Sequence, residues 1–309
     1  MSGEVNPTEE NAKPIILLTG ASGYVGGRLL PLLEDQPITV RCLARKPEKL
    51  QDQVRDTTEI VRGDVLDAES LESALEGVHT AYYLVHLMSG SKDFEKEDRL
   101  AATNFAQAAK TVGVKRIIYL GGLGDETDST LSPHLRSRHE VGQILRDSGT
   151  ETIEFRASLV IGSGSLSFDL VKTLTDRLPI MLCPKWLKTP AQPIAIDDVL
   201  AYLLAAKDLP PGDSQVFEIG GPDVTTYGNM IHEYAKYKGL KRWLIYVPVL
   251  TPYLSGLWLA LVTPTSFEVG RHLIEGLKNP TVVTNNRAQE MFDIQPMGIQ
   301  NAIKKAFSD

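Results

Sequence analysis

A short apolar run leads directly into a glycine-rich turn near the start of the chain, and this arrangement restricts the fold more than any other feature. Residues 15–19 have the apolar, β-branched character of a buried strand, and Gly20, Gly23 and Gly26 follow at once. An apolar helical segment, 28–33, comes next. In this order the glycines allow a tight bend, close approach of a phosphate and close packing of helix on strand. The sequence therefore predicts a dinucleotide-binding site at the N-terminus of this helix.

Beyond this turn, short β-type runs alternate with segments of helical period, as in chains that form a parallel sheet with crossover helices. We predict an α/β fold with a Rossmann-type, doubly wound parallel sheet and a smaller C-terminal substrate-side region. The predicted strands are residues 15–19, 39–44, 59–62, 80–85, 115–120, 152–160, 215–219 and 243–247. Prolines interrupt the alternation after residue 162, so we expect a dinucleotide-binding part at 15–162 and a smaller part at 163–309, with some strands of the latter returning to the main sheet. A capped helix is predicted to begin at Asp197.

The tip of the second predicted strand indicates which dinucleotide is bound. An acidic side chain there would accept a hydrogen bond from a ribose hydroxyl, whereas a basic one would pair with a 2′-phosphate. Arg45 and Lys46 occupy this position, which favours NADP(H). A solvated basic turn is the alternative interpretation. Asp64 and Val65, after the third strand, are predicted to lie beside the adenine, although an ordinary Asp-Gly turn has the same sequence.

His86 follows the fourth predicted strand, and ligands of open α/β sheets bind beyond the carboxyl ends of the strands. We therefore predict that His86 contacts the nicotinamide side of the cofactor or the substrate, with an ordinary polar loop residue as the alternative. The complete predicted cofactor site consists of Gly20, Ser22, Gly23, Tyr24, Val25, Gly26, Arg45, Lys46, Asp64, Val65 and His86.

Composition narrows the functional classes. The chain has 39 acidic and 32 basic side chains and a net charge of −7, so we expect no nucleic-acid binding through a basic patch. Cys42 and Cys183 lie far apart and no Cys/His cluster has ligand spacing, so neither disulfide partners nor a metal site are predicted. Residues 1–14 are polar and acid-rich, which predicts a disordered leader and not a signal peptide. These features favour the cytoplasm.

Seven segments of the chain resemble the atypical short-chain dehydrogenase/reductase superfamily, and in particular its NmrA-like, NAD(P)H-binding branch. They are the glycine turn at 19–30, the basic tip at 42–47, and the segments 63–67, 81–86, 116–124, 132–142 and 154–165. The resemblance covers most of the chain and is most specific in the cofactor half. It implies a Rossmann-type fold, NAD(P)(H) as the cofactor and oxidoreductase chemistry on a small molecule.

The same resemblance implies a catalytic pair, a tyrosine followed four residues later by a lysine that lowers the pKa of the phenol. Matching residues 132–142 to this motif places His134 at the tyrosine position and Arg138 at the lysine position. The serine or threonine expected after the fifth strand is also replaced, since that strand leads into Gly121 and Gly122. The usual proton relay of the family is therefore not carried over.

Two interpretations of the pair remain open. The ordinary pKa of histidine lies near 6.5, so His134 can act as an acid or base without a lysine, and Arg138 can hold the ribose or a phosphate. The chain is then an NADPH-dependent oxidoreductase. Alternatively, both residues lie on a solvated helix face of a non-catalytic NADP(H)-binding redox sensor or assembly protein.

A long uncharged stretch extends from Arg242 to Glu268, and its part at 243–264 is rich in aromatic and aliphatic residues. Three prolines within it argue against one continuous membrane-spanning helix. We expect this stretch to line a pocket for a bulky, lipophilic, quinone-like substrate. Alternatively, it contacts a partner protein or a membrane surface, and the protein is then peripheral to the membrane.

Overall fold

The computed structural model describes residues 13–87, 93–247 and 276–308. Its strands are β1 (Ile15–Thr19), β2 (Thr39–Ala44), β3 (Glu59–Arg62), β4 (Val78–Tyr83), β5 (Arg116–Gly122), β6 (Glu151–Ala157), β7 (Val160–Ile161), β8 (Ile180–Cys183), β9 (Pro190–Ala191), β10 (Ile194–Ala195), β11 (Gln215–Ile219), β12 (Thr225–Thr226) and β13 (Trp243–Tyr246). Its α-helices are α1 (Tyr24–Glu34), α2 (Ala68–Leu75), α3 (Phe94–Val112), α4 (Pro133–Asp147), α5 (Leu166–Arg177), α6 (Ile196–Ala206), α7 (Tyr227–Tyr237), α8 (Arg287–Phe292) and α9 (Ile299–Lys305). Short 3-10 turns lie at Pro47–Lys49, Gln51–Gln53 and Lys185–Lys188.

Seven strands form one parallel sheet in the order β11-β6-β5-β4-β1-β2-β3. From β1 the chain builds one side of the sheet through β2 and β3 and the other through β4, β5 and β6, so the strand order reverses between β1 and β4. Ligands of such sheets bind at this reversal, beyond the carboxyl ends of the strands. The predicted Rossmann-type α/β fold is confirmed. The edge strand β11 comes from the C-terminal half of the chain.

Apolar side chains pack on both faces of this sheet. On one face, Ile16 and Leu18 of β1 pack in a cluster with α1 and α6, whereas Leu17 packs on the other face with α2, α3 and α4. A third cluster joins α5, α7 and α9 of the C-terminal half. Because successive residues of β1 are buried on opposite faces, the strand has to be apolar throughout.

Several predicted bounds differ from the structure. Strands β4 and β5 are shifted by one or two residues from the predicted ranges 80–85 and 115–120, and two further differences have a structural reason. The run 152–160, expected as one strand, ends early as β6, and β7 pairs with β10 in a separate two-stranded sheet. The backbone changes partner there, because the N–H of Ile194 donates to the carbonyl of Leu159 at 2.9 Å. Helix α6 begins one residue before Asp197, which lies in its first turn and does not cap it.

Only the first part of the uncharged stretch 243–264 is described. It forms β13 beside β8, with Trp243 70% exposed and Ile245 50% exposed. The expected pocket, partner or membrane contact of residues 248–264 lies outside the described residues, as does the predicted leader except for its last two residues. Within the described ranges, no helix combines the length and the apolar character needed to cross a bilayer.

Candidate functional site

The glycine turn after β1 closes tightly on the first turn of α1. Gly20 has a left-handed backbone with φ of 70°, and a Cβ there would lie 2.7 Å from the carbonyl oxygen of Leu84. A Cβ on Gly26 would lie only 2.2 Å from the carbonyl oxygen of Gly20. Gly23 donates its N–H to that same carbonyl at 2.8 Å. The turn and the helix are therefore packed backbone against backbone, which leaves no room for side chains at Gly20 and Gly26.

Helix α1 begins at this turn. Gly23 is its N-cap and supplies no capping side chain, and the backbone N–H groups of the first turn have no acceptor within the helix. Together with the helix dipole, these groups make an anion site. The side chain of Tyr24 lines a neighbouring cleft, and Val25 packs against the core. These two residues are thus placed for cofactor contact through their backbone only.

A cleft of about 610 Å³, which we call the glycine cleft, extends from this turn across the carboxyl ends of β1 to β4. It is lined by Thr19, Gly20, Ala21, Ser22, Gly23, Leu43, Ala44, Arg45, Lys46, Lys49, Leu50, Gly63, Asp64, Val65, Leu84, Val85, His86 and Leu87. Most residues of the predicted cofactor site therefore lie together.

Three basic side chains stand at the β2 end of the glycine cleft. Arg45 and Lys46 follow β2, Lys49 lies in the next short turn, and all three are exposed. Among the described residues that line this cleft, Asp64 is the one acid, and its Oδ1 accepts from the N–H of Leu66 at 3.0 Å. The excess positive charge suits a phosphate better than a ribose hydroxyl.

A second cleft of about 310 Å³, which we call the histidine cleft, adjoins the first, and His86 lines both. Its other lining residues are Tyr24, Leu120, Gly121, Gly122, Leu123, His134, Leu135, Arg138, Ala157, Ser158, Leu159, Val160, Ser165, Leu166, Ser167, Tyr227, Gly276, Leu277 and Thr281. A narrow apolar recess of about 30 Å³ shares Ser167, Tyr227 and Leu277 with this cleft. The two clefts meet at the imidazole of His86.

His86 links two further side chains into a chain of contacts. Its Nε2 lies 3.1 Å from Nδ1 of His134, and the ring centroids are 4.8 Å apart. Its Nδ1 lies 3.2 Å from Oδ2 of Asp98. Burial lowers the pKa of His86, an effect that the hydrogen bond from His86 to the carboxylate of Asp98 opposes. Within the described ranges, no cluster of histidine, cysteine and acidic side chains is arranged to hold a metal ion.

The start of α4 positions His134. Ser132 caps the helix by accepting the N–H of Leu135 at 3.3 Å, and Pro133 occupies the first helical position, where its missing N–H costs nothing. His134 therefore lies in the first turn, beside the end of β4 that carries His86. Two histidines that are distant in the sequence meet because the loop after β4 and the start of α4 lie at the same edge of the sheet.

Arg138 lies one helical turn after His134 and lines the same cleft. Its guanidinium stands over the ring of Tyr119 at 5.4 Å and donates to the carbonyl oxygen of Leu120. The hydroxyl of Tyr119 donates in turn to the carbonyl of Arg138 at 3.0 Å. These contacts fix the positive charge at the carboxyl end of β5, and neither His134 nor Arg138 belongs to the exposed residues.

The end of β5 is too crowded for the missing hydroxyl side chain. A Cβ on Gly122 would lie 2.8 Å from a methyl carbon of Leu135, and one on Gly121 would lie 3.2 Å from Oε1 of Glu154. A serine at either position would require these neighbours to move. The residues of β5 that line the histidine cleft, Leu120, Gly121 and Gly122, therefore bring no hydroxyl group to it.

The sequence analysis missed Lys49 and Asp98. Lys49 continues the basic run that begins at Arg45, and the turn after β2 brings it to the same cleft. Asp98 lies within α3 and is 3% exposed. A signal for it exists, because it is four residues from Phe94 and three from Ala101, on the stripe of α3 that faces the core, where a carboxylate needs partners.

Comparison with known proteins agrees with the nucleotide-binding geometry. Residues 20–159 match the protein family described as NAD(P)H-binding. Cinnamoyl-CoA reductase 1 of Oryza sativa subsp. japonica is 27% identical over 128 residues, or 39% of this chain and 38% of that protein. The match spans only 36–38% of the length of the first curated relatives. The similarity in sequence is thus concentrated in the NAD(P)H-binding part.

Solved structures are similar over nearly the whole chain. The triphenylmethane reductase of Citrobacter sp. complexed with NADP(H) has a TM-score of 0.75 at 17% identity, covering 94% of this chain and 99% of that chain. An NADPH-dependent quinone oxidoreductase from Escherichia coli complexed with NADPH has a TM-score of 0.75 at 19% identity, with the same coverage. The chain therefore has an NAD(P)H-binding domain at residues 20–159 and the fold of NAD(P)-binding reductases, as the resemblance implies.

Proposed function

We propose that the chain is an NADPH-dependent oxidoreductase that reduces a carbonyl or quinone-like compound with an apolar body. The observation that carries this proposal is the wall between the two clefts, where His86 lines both and contacts His134. A redox cofactor in the glycine cleft and an organic acceptor in the histidine cleft would meet at this wall. The similar structures include a triphenylmethane reductase and a quinone oxidoreductase, which supports a reductase.

The glycine cleft fits a phosphorylated dinucleotide. Gly23, the N-cap of α1, lines the cleft, so a pyrophosphate bound there would lie at the N-terminus of the helix and would accept from the first N–H groups of α1. Arg45, Lys46 and Lys49 would hold a 2′-phosphate, and Asp64 with Val65 would lie beside the adenine. His86 would adjoin the nicotinamide end of the cofactor.

Bound NADPH supplies a hydride, and the protein has to supply the proton that completes the reduction of a carbonyl to an alcohol. We assign this proton to His134. An N–H bond of its imidazolium breaks, an O–H bond forms on the acceptor, and the electron pair stays on the ring nitrogen. The fixed charge of Arg138 would stabilise negative charge that develops on the acceptor oxygen.

The walls of the histidine cleft support a lipophilic acceptor. Aliphatic side chains from β5, β6, β7 and α5 line part of it, together with Leu123, Leu135, Leu159 and Leu277. The adjoining recess is bounded mainly by apolar side chains such as Leu170, Leu174 and Trp186. An acceptor with a polar oxygen near His134 and an apolar body toward the recess would bury its apolar surface there. Small charged metabolites would gain little from these walls.

The proposed role of His134 predicts the outcome of a turnover assay. We expect NADPH oxidation with quinones and lipophilic aldehydes or ketones, and a loss of roughly 100-fold or more in kcat for His134→Gln, because a positioned general acid contributes about 10²- to 10⁴-fold. The Kd for NADPH should stay nearly unchanged. His232→Gln is the matched control, because His232 is exposed and lies outside both clefts.

A non-catalytic NADP(H) sensor is the second candidate. The replacement of the tyrosine and lysine of the superfamily by His134 and Arg138 favours it. Tight NADPH binding without turnover of any acceptor in the panel would support the sensor and contradict the oxidoreductase. Equal turnover by the wild type and His134→Gln would remove His134 from the chemistry.

A further inference from the structure

We propose that Asp98, Ser137 and His86 are positioning residues that fix the tautomer of His134, so that its Nδ1 carries a hydrogen and its Nε2 is the nitrogen that exchanges protons with the acceptor. This inference rests on the proposed function for its chemical purpose. The predicted tautomer of His134 is a property of the protein alone and can be tested without a cofactor.

Asp98 is the first member of this chain of hydrogen bonds, and both of its carboxylate oxygens have partners. It is 3% exposed, and its Oδ1 accepts from the backbone N–H of Leu87 at 3.1 Å. Its Oδ2 accepts from the hydroxyl of Ser137 at 2.9 Å and lies 3.2 Å from Nδ1 of His86. Burial opposes ionisation, but the hydrogen bonds from His86, Leu87 and Ser137 outweigh it, so the pKa of Asp98 is lowered. Asp98 therefore stays ionised and can only accept hydrogen bonds.

The direction of each bond follows from that carboxylate. Because Asp98 accepts, Nδ1 of His86 must carry the hydrogen, and Nε2 of a neutral His86 is left with a lone pair. This lone pair accepts from Nδ1–H of His134, 3.1 Å away. The proton of neutral His134 is thus confined to Nδ1. Isolated histidine side chains in water prefer the other tautomer, so the protein imposes this one.

His86 remains neutral while it serves this purpose. Among the described residues, the charged groups that act on it are Asp98 of α3 and Arg138 of α4, and burial is the largest influence, so the pKa of His86 is lowered. In this proposal, the proton that the acceptor receives is carried by Nε2 of His134. When Nε2 gives this proton to the acceptor oxygen, the N–H bond electrons stay on Nε2, and His134 is already in the tautomer that Asp98 and His86 favour. Water then returns the proton, and neither ring has to rotate.

Asp98→Asn should reverse the direction of the hydrogen bonds that join residue 98, His86 and His134. The side-chain oxygen of asparagine can keep the N–H of Leu87, which turns its NH₂ group toward Nδ1 of His86. Nδ1 of His86 must then accept, Nε2 of His86 must donate, and Nδ1 of His134 must accept. The hydrogen of His134 moves to Nε2. A substitution two side chains away thus changes which nitrogen of His134 carries the hydrogen, while both imidazole rings are kept.

The tautomers are measured by long-range ¹H–¹⁵N NMR of the histidine rings in the full chain without cofactor, at about pH 8. Spectra of His86→Gln and His134→Gln assign the signals. We expect Nδ1–H for His86 and His134 in the wild type and Nε2–H for both in Asp98→Asn, with exposed His232 unchanged as the internal control. A wild-type His134 with its hydrogen on Nε2 overturns the proposal, and this result needs no variant to fold. Unchanged tautomers in a folded Asp98→Asn protein also overturn it.

Kinetics separate this inference from the proposed function. In Asp98→Asn we expect kcat to fall roughly 100-fold and the decline of the rate at high pH to disappear, while the Kd for NADPH changes less than about threefold. Wild-type tautomers as expected, with no turnover of any acceptor, would support the hydrogen-bond chain and contradict the oxidoreductase. Turnover that depends on His134, with the opposite tautomer, would support the oxidoreductase and contradict the chain.

Discussion

At the residue scale, the prediction of NADP(H) as the cofactor rests mainly on Arg45. Its guanidinium stands at the β2 end of the glycine cleft with Lys46 and Lys49 beside it. We expect Arg45→Ala to weaken NADPH binding about 10- to 100-fold, because a charge-assisted hydrogen bond contributes about 1.5–3 kcal/mol. NADH lacks the 2′-phosphate, so its Kd should change by less than about twofold. Titration calorimetry of both dinucleotides measures the difference.

The matched control for this prediction is Arg136→Ala. Arg136 is also exposed, but it pairs with Glu95 at 3.0 Å and lines neither cleft. Removal of its charge should leave both affinities unchanged. If Arg45→Ala weakened NADPH and NADH equally, the contact would be to a part that both molecules share, and the assignment of NADP(H) would be wrong.

Candidate residues could be predicted from the sequence where they lie at the end of a strand or the start of a helix. Arg45 follows a strand tip, His86 follows another, and His134 lies at a helix start, so each could be named as a candidate from local patterns. Asp98 was missed. Its place on the buried stripe of α3 indicates that it needs partners, but only the packing of α3 beside α4 brings it to Ser137 and His86. Local spacing contains no record of that packing. The catalytic and cofactor roles themselves stay predictions.

At the element scale, Arg116 at the start of β5 joins two strands and a helix end. Its guanidinium pairs with Glu151 of β6 at 2.9 Å and donates to the carbonyl oxygens of Ala206, Lys207 and Pro210 at the end of α6. We expect Arg116→Met to lower the free energy of unfolding by about 3–5 kcal/mol, because the helix-end carbonyls lose this donor and the half-buried carboxylate of Glu151 keeps the N–H of Gly212 but loses its counter-charge. Urea unfolding at neutral pH measures this loss.

An exposed pair of similar geometry provides the comparison for Arg116. Arg99 of α3 pairs with Glu140 of α4 through two hydrogen bonds, but the two side chains are 52% and 35% exposed. Water replaces such bonds readily, so Arg99→Met should change the stability far less than Arg116→Met. Similar losses in both variants would show that burial does not determine the contribution of these pairs.

Element bounds were predictable for some strands of the main sheet. The bounds of β1, β2, β3 and β11 agree with the sequence-based ranges, since each is a short β-type run between turn residues. The run 152–160 contains the same kind of residues, yet it divides because its last part pairs with β10 and not with β5. Hydrophobic pattern indicates that a segment is a strand, but it does not indicate which strand is its neighbour.

At the scale of the whole molecule, two buried histidines make stability depend on pH. Burial lowers the pKa of both His86 and His139 from 6.5, so the folded chain binds fewer protons than the unfolded chain below about pH 6.5. The free energy of unfolding should therefore fall as the pH drops from about 7.5 to 5.5, by at most about 1.4 kcal/mol per pH unit for each histidine. Urea unfolding across this range measures the slope.

Substitutions of single histidines show which of them cause the slope of the free energy of unfolding against pH. His139→Gln should reduce it, because glutamine can still donate to the carbonyl of Gly122, which Nε2 of His139 contacts at 2.9 Å, but cannot take up a proton. His232→Gln should leave the slope unchanged, since His232 is exposed. Stability that rises toward pH 5.5 would contradict the lowered pKa of the buried pair.

The edge strand β11 has a consequence for how the chain can be divided. Its five residues pair with β6 from Gln215 opposite Ile153 to Ile219 opposite Ala157. A fragment that stopped at residue 162 would retain the glycine turn and six of the seven strands, but one flank of β6 would carry backbone groups without hydrogen-bond partners. Such an unpaired strand edge can form hydrogen bonds with strands of other molecules. The distal half of the polypeptide thereby protects the nucleotide-binding half from self-association.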